Sequence, residues 1–189
     1  MPEFYGEDLA YIHATGFEGL AKAAARTLAR EAKIKPSARV LDLGCGAGGF
    51  SNELVSLGAT PWGLDYSSEL VSLARERVPG VEFEQGSIVD HPLPDASAAV
   101  AVGEVLNYAT ADSPAGLANI FSRVHAALET GGVFLFDAAS AGRHAHPYAF
   151  SEGADWSVGM STEEKDGLLV RRITTFRLQG DNLWRRAFE

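Results

Sequence analysis

The sequence predicts a doubly wound α/β fold, a mostly parallel sheet with helices on both faces, followed by a C-terminal antiparallel meander. Three observations predict it. Apolar runs of strand length alternate with helical stretches through the first 139 residues. The runs at 39–43, 98–103 and 133–138 are apolar almost throughout, as expected when helices cover both faces of a parallel sheet. After Ser140 the helical period disappears, and strand-like segments separated by turn residues take over.

Taken in order, residues 9–32 place Leu9, Ile12, Phe17, Leu20, Ala24 and Leu28 at rough helical spacing, with Gly16 and Gly19 predicting a break or tight packing near Phe17. Pro36 turns the chain into a first strand at 39–43. A helix over 49–57 ends at Gly58, the expected place for a C-terminal glycine. A second strand at 61–65 leads to a helix over 67–78, which Ser67 or Ser68 would cap and Pro79-Gly80 would stop. Strands at 81–85 and 98–103 follow, then a helix over 114–128, a turn at Thr130-Gly131-Gly132 and a fifth strand at 133–138. Residues 140–154 carry Arg143, His144, His146 and Pro147 without helical period and read as a loop. The meander strands are 156–160, 168–178 and 183–188, with turn chemistry at Lys165-Asp166-Gly167 and Gln179-Gly180-Asp181-Asn182.

Composition narrows the function. The 189 residues, 46% hydrophobic and 22% charged, suit one globular domain. A net charge of -9 disfavours a nucleic-acid partner, although Arg171-Arg172 and Arg185-Arg186 are local basic pairs. The single cysteine, Cys45, cannot form an internal disulfide. No apolar run approaches the roughly 18 residues of a membrane span, and the acidic N-terminus is unlike a signal peptide. A cytoplasmic protein with no membrane partner is expected.

The stretch Val40-Leu41-Asp42-Leu43-Gly44-Cys45-Gly46-Ala47-Gly48-Gly49 runs an apolar strand into a glycine turn. Gly44, Gly46 and Gly49 formally match a dinucleotide fingerprint, with Asp65 at the acidic position further on. Charge separates two readings of that match. A pyrophosphate favours backbone N–H groups and a helix N-terminus without a nearby anion. Here Asp42 adjoins the turn, Glu53 follows in the helix, and no Lys or Arg occurs from Val40 to Ala59. Opposite charges about 4 Å apart gain roughly 1 kcal/mol in water and about 4 at an effective dielectric of 20. An ammonium or sulfonium group is therefore favoured over pyrophosphate, unless Asp42 only braces the loop. A P-loop is excluded, because Phe50-Ser51 stand where a lysine would follow. Asp65, at the end of the second strand, has the geometry to accept from both hydroxyls of a ribose or to cap the next helix. Tyr66 and Ser67 adjoin the same place.

These motifs, in this order, resemble the class I S-adenosylmethionine-dependent methyltransferases, in particular their small bacterial type, whose fold is Rossmann-like. Besides the glycine turn, the resemblance rests on Gly63-Leu64-Asp65-Tyr66-Ser67, Phe83-Glu84-Gln85-Gly86-Ser87-Ile88, Val102-Gly103-Glu104-Val105-Leu106-Asn107-Tyr108 and Leu128-Glu129-Thr130-Gly131-Gly132-Val133-Phe134. It implies S-adenosylmethionine as cofactor and S-adenosylhomocysteine as product. Gly44 and Gly46 would let the methionine portion approach the backbone, Asp42 would support its ammonium, and Asp65 would take the ribose. Ser87 and Ile88 would flank adenine, with Ser87 standing where the family usually has an acid. Gly103 and Glu104 would lie at the end of strand four against cofactor or acceptor. Leu9 to Phe17 resembles a lid helix, from which Tyr11, His13 or Phe17 would cover the cofactor. The implied organisation is one domain: a lid region at 1–37, a cofactor-binding core at 38–139, and a loop with antiparallel strands at 140–189.

The resemblance implies in-line methyl transfer, with a general base needed only if the acceptor loses a proton. Glu104 is the leading candidate for contacting the acceptor, and Tyr108, His13, His144 and His146 are weaker ones. His144 and His146 lack a third ligand, so no metal is expected. Acidity and rim aromatics (Tyr5, Tyr11, Phe17, Tyr108, Tyr148) favour a small-molecule acceptor. The family usually ends with a helix and two further strands beyond strand five, and no convincing helix follows Ala138 here. Either the meander replaces those elements or, the favoured expectation, the chain is truncated, which would leave strand five at a sheet edge open to the meander or to a second copy in a homodimer. Two rival readings follow: a cofactor-binding but catalytically incomplete module, and an NAD(P)-dependent oxidoreductase.

Overall fold

The computed structural model describes residues 5–17, 19–109, 116–140, 148–165, 168–180 and 183–188. Strands β1 (Arg39–Leu43), β2 (Thr60–Asp65), β3 (Glu82–Gln85), β4 (Ala96–Ala101) and β5 (Leu128–Phe136) form a parallel sheet in the order β3-β2-β1-β4-β5. Its direction of winding reverses between β1 and β4, so their carboxyl ends flank the crevice where open α/β sheets hold ligands.

The helices are α1 (Glu7–Gly16), α2 (Gly19–Glu31), α3 (Gly49–Ser56), α4 (Ser68–Arg77), α5 (Val105–Ala109) and α6 (Gly116–Ala127). Strand alternation sorts them onto two faces. Val40, Ala98 and Val100 pack against Leu28, Phe50 and Leu54 of α2 and α3. Leu41, Leu43, Trp62 and Leu64 point the other way, into a cluster with Ile120 and Val124 of α6. Each such side chain contributes about 1.5–3 kcal/mol on full burial. Small residues at Ala96, Ala98, Ala99 and Ala101 let layers on both sides approach the central β4.

Strands β6 (Tyr148–Glu152), β7 (Trp156–Lys165), β8 (Leu168–Gln179) and β9 (Leu183–Phe188) form a separate antiparallel sheet in chain order. The segment read as a loop thus contains β6, paired with β7 from Tyr148↔Ser161 to Glu152↔Ser157. Its alternation is too short to stand out in sequence, and the ladder to β7 supplies the order. Thr130-Gly131-Gly132 is likewise not a free turn. It lies inside β5, where the register with β4 shifts and Gly131 adopts φ +83. Helix α5 was not signalled by any periodic run, being a single short turn.

The described meander strands pair with one another, not with β5, which forms the edge of the parallel sheet with Phe134 and Phe136 stacked on Phe121 of α6. Helix α1 joins the two sheets. Ala10 and Ala14 pack on Ala47 and Leu70 of the core, while Leu9 and Ile12 pack on Trp156 and Val158 of the meander. Buried Asp8 accepts from Arg185 Nε at 2.6 Å, and Arg177 lies 3.5 Å from its other oxygen. Among the described residues no helix is long and apolar enough to cross a membrane.

Candidate functional site

The turn after β1 is shaped by glycines in the left-handed region: Gly44 at φ +74, Gly46 at φ +53 and Gly48 at φ +79. They serve different ends. A Cβ on Gly44 would stand 2.3 Å from Val105 Cγ2, so this glycine is required by packing, whereas one on Gly46 would meet nothing within 4 Å. Backbone N–H groups of Gly44 and Cys45 donate to the Leu64 carbonyl at 2.7 and 3.0 Å, tying the turn to β2. Beside it lies a cavity of about 110 Å³ whose walls include His13, Phe17, Asp42, Gly46, Arg77 and Gly103. Arg77 reaches the loop from α4 and donates to the Ala47 carbonyl at 3.2 Å, a cation that local sequence around the turn did not disclose.

Two carboxylates flank the turn. Asp42 is buried and accepts from the Ser51 hydroxyl at 2.6 Å. Burial pushes its carboxyl up to about 7, with the Ser51 bond opposing the shift. Asp65 accepts from Gly46 N at 2.8 Å and Ser67 N at 2.9 Å, so it braces the turn from the end of β2. Burial raises its carboxyl too, against those backbone bonds. Ser67 caps α4 by accepting from Leu70 N at 3.2 Å and donates to the Tyr5 carbonyl. Tyr66 is exposed beside it. The Cys45 thiol is pushed up, chiefly by burial.

After β3, Ser87 accepts from Val89 N at 3.2 Å, closing a local turn. Ile88 is 6% exposed and belongs to the apolar cluster with Trp62 and Leu64, so packing occupies it. After β4, Gly103 and Glu104 both have positive φ, 100 and 62. Their N–H groups donate to Asp137 at 3.0 and 2.7 Å. The Glu104 carboxylate pairs with Arg171 of β8, whose other terminal nitrogen donates to the Tyr108 hydroxyl at 2.7 Å.

The lid expectation divides. His13 and Phe17 line the cavity, and burial lowers the His13 imidazole, which packs edge-on against Tyr5 at 5.4 Å. Tyr11 does not cover it. Its hydroxyl donates to Asp155 at 2.7 Å and its ring lies 3.8 Å under the Arg177 guanidinium, because that side of α1 faces the meander. His144 and His146 lie outside the described residues. Sequence reasoning missed Arg171 and Asp137. Asp137 had a signal, an acid at the carboxyl end of a parallel strand; Arg171 had none, since only the meander's fold brings it there.

A family model described as "Methyltransferase domain" matches residues 40–132. An uncharacterized methyltransferase of Synechocystis sp. is 36% identical over 106 residues, 53% of this chain and 47% of that protein. The malonyl-[acyl-carrier protein] O-methyltransferase of Serratia marcescens is 34% identical over 107 residues, 57% of this chain and 40% of its own length. The chain thus spans about half the length, or less, of these curated relatives. Streptomyces venezuelae DesVI shares the fold with a TM-score of 0.78 at 18% identity, covering 96% of this chain and 79% of that one. That likeness takes in the meander as well as the parallel sheet. Nothing in these comparisons supports an oxidoreductase. The glycine turn, with buried Asp42 and half-buried Asp65 beside it, thus stands within residues 40–132, which are similar to a methyltransferase domain, in a chain that shares the fold of DesVI.

Proposed function

We propose that this chain transfers the methyl group of S-adenosylmethionine to a small-molecule acceptor, as a cytoplasmic enzyme. The observation that carries the reading is the open cradle at Gly46 between the Asp42 and Asp65 carboxylates. Its donor set fits the group: a backbone without Cβ for the methionine portion, an acid for the ammonium and an acid for the ribose. Asp42 would hold the ammonium. Asp65, already bonded to Gly46 N and Ser67 N, has lone pairs for the ribose hydroxyls, with Tyr66 and Ser67 beside them. Ser87 and Ile88 would form the adenine wall, Ile88 from its place in the core. His13 and Phe17 would cover the pocket and exclude water. When bound, the group supplies an activated methyl on sulfur, which leaves with the acceptor while the bonding pair stays on sulfur. The chain's own contribution is alignment, and Glu104 and Tyr108 at the end of β4 are its polar groups on the acceptor side.

Support for the acceptor class comes from the chain's chemistry rather than from relatives, whose identity is confined to about half their length or less. An acidic chain with Phe17 and Tyr108 exposed near the site suits a small, uncharged or partly apolar molecule. The buried, unpaired Cys45 suits a reducing compartment. The open edge of β5 offers a ladder to a second copy; a monomeric mass in solution would remove that part of the reading.

The test compares thermal shifts with S-adenosylhomocysteine, NAD(H) and no ligand, for the wild type and Asp65→Ala. Stabilisation by S-adenosylhomocysteine alone, lost in Asp65→Ala, is expected. Stabilisation that survives the substitution would sink the ribose assignment, and stabilisation by NAD(H) alone would sink the family chemistry. Binding with no turnover on a broad acceptor panel would instead favour a catalytically incomplete module.

A further inference from the structure

We infer that Arg171, delivered by the meander, and Asp137 are positioning residues that hold the Glu104 carboxylate at the methyl-donating end of the cofactor pocket, with Arg171 moderating its charge. The inference rests on the reading that this pocket binds S-adenosylmethionine. Gly103 lines the cavity together with Asp42, Gly44 and Gly46, and Glu104 is the next residue in the chain.

Glu104 stands in a backbone region that side chains rarely adopt, at φ +62. Such a conformation persists where the surroundings over-determine it, commonly at functional sites. Two distant elements do so here. From the end of β5, Asp137 accepts from Gly103 N and Glu104 N and fixes the turn. From β8, Arg171 grips the carboxylate and, through its other nitrogen, the Tyr108 hydroxyl, with the guanidinium 5.8 Å from the Tyr108 ring centre. The side chains of Glu104 and Arg171 are 16% and 22% exposed, so the pair lies at an opening and not in a sealed core.

Within its own sheet Arg171 is not fully satisfied. Its Nε is buried without a partner, and so is the Oγ1 of Thr162, the residue directly opposite on β7. A donor and an acceptor across one rung of the ladder are both left unmatched while the fork of the guanidinium reaches out to β4 and α5. A buried unmatched group is unfavourable, a cost that the outward bonds to Glu104 and Tyr108 offset.

The charge logic gives the pair a role. A bare carboxylate beside a cationic donor would stabilise that donor before reaction more than during transfer, when its charge is dispersing, and binding of that kind slows chemistry. Arg171 offsets the excess while keeping the carboxylate in place for the acceptor.

The experiment needs no acceptor. Dissociation constants are measured by calorimetry for S-adenosylmethionine, which is cationic at sulfur, and S-adenosylhomocysteine, which is not. A unit charge about 6 Å away at an effective dielectric near 40 changes affinity roughly tenfold. Glu104→Gln should therefore weaken S-adenosylmethionine relative to S-adenosylhomocysteine by about that factor. Arg171→Met should shift the ratio in the opposite direction, and Arg171→Lys, which keeps the charge, should stay near the wild type. Asp137→Asn should move the ratio toward that of Glu104→Gln. Ratios unchanged in Glu104→Gln and Arg171→Met, or parallel losses of both ligands, would overturn the inference and leave the pair a mere tie between sheets. A wild type that binds neither ligand would overturn the cofactor reading itself. If Arg171→Met does not fold, Glu104→Gln and Asp137→Asn still decide the sign.

Discussion

In the parallel sheet, the groups around the glycine turn are backbone atoms held largely by backbone: Gly44 and Cys45 bond the Leu64 carbonyl, and Gly46 bonds the Asp65 carboxylate. The meander is bolted to the rest of the molecule by long side chains instead. Arg185 grips Asp8, Tyr11 donates to Asp155, and Arg171 grips Glu104. The difference extends to carboxylates that burial makes otherwise comparable. Asp42 is 3% exposed with a serine hydroxyl as its side-chain partner, whereas Asp8 is 4% exposed between two guanidinium groups. A backbone-held cradle tolerates a poorly compensated charge that a ligand can complete. A side-chain bolt has to be compensated already in the free protein.

The largest effect expected on this contrast comes from the backbone side. Gly44→Val places side-chain atoms against Val105, at a residue whose φ of +74 already excludes most side chains. Overpacking and left-handed strain together should cost about 3 kcal/mol. Calorimetry should find S-adenosylhomocysteine binding reduced beyond detection, and urea unfolding should show the loss. Binding within a few-fold of wild type would mean that the turn is not the cradle.

Asp42 comes next. Its carboxyl, ordinarily near 3.8, lies near 7 in the folded chain because burial disfavours the charge. The folded state keeps a proton that the unfolded chain releases, so the stability linked to this group is full below about 4 and is lost as pH rises through about 7. Asp42→Asn should remove that slope. Urea unfolding should find the variant more stable than the wild type by something of the order of 3 kcal/mol at pH 8, converging with it near pH 4. Its affinity for S-adenosylhomocysteine should fall, because the ammonium loses its anion. Parallel stability profiles would show that Asp42 ionises without penalty, and the contrast with Asp8 would fail.

Asp8→Ala is the counterpart from the meander side, with the opposite sign. It leaves Arg185 and Arg177 without the carboxylate that joins α1 to β8 and β9. Arg185 is 40% exposed and recovers water, so about 2 kcal/mol is expected rather than the larger loss of a fully buried pair. The midpoint of urea unfolding measures it, and an unchanged midpoint would reduce the bolt to a surface contact.

The same contrast explains what the sequence disclosed. Parallel strands announce themselves as apolar runs, and the turn at Gly44–Gly46 lies within a few residues of Asp42 and 19 residues from Asp65. Arg171 and Glu104 are 67 positions apart, and Asp8 and Arg185 are 177 apart. An arginine in a strand of alternating residues carries no mark of the carboxylate it will meet. Strand β6 escaped for a related reason, since its order comes from a partner strand beyond a turn. Ile88, expected to flank adenine, is a core residue in the structure, and no local pattern separates those two roles.

Tyr11→Phe carries the smallest effect and separates the two regions most finely. Helix α1 contributes to both: His13 and Phe17 face the cavity, while Tyr11 faces Asp155 and Arg177. Losing one half-exposed hydroxyl that donates to a carboxylate should cost about 1 kcal/mol in urea unfolding. The ring remains, so stacking under Arg177 persists. Affinity for S-adenosylhomocysteine should stay within about twofold, because at RT near 0.59 kcal/mol a twofold change is only about 0.4 kcal/mol. A larger loss of affinity would return Tyr11 to the cofactor, as its place in the lid helix first suggests, and would mean that α1 turns on its axis when ligand binds.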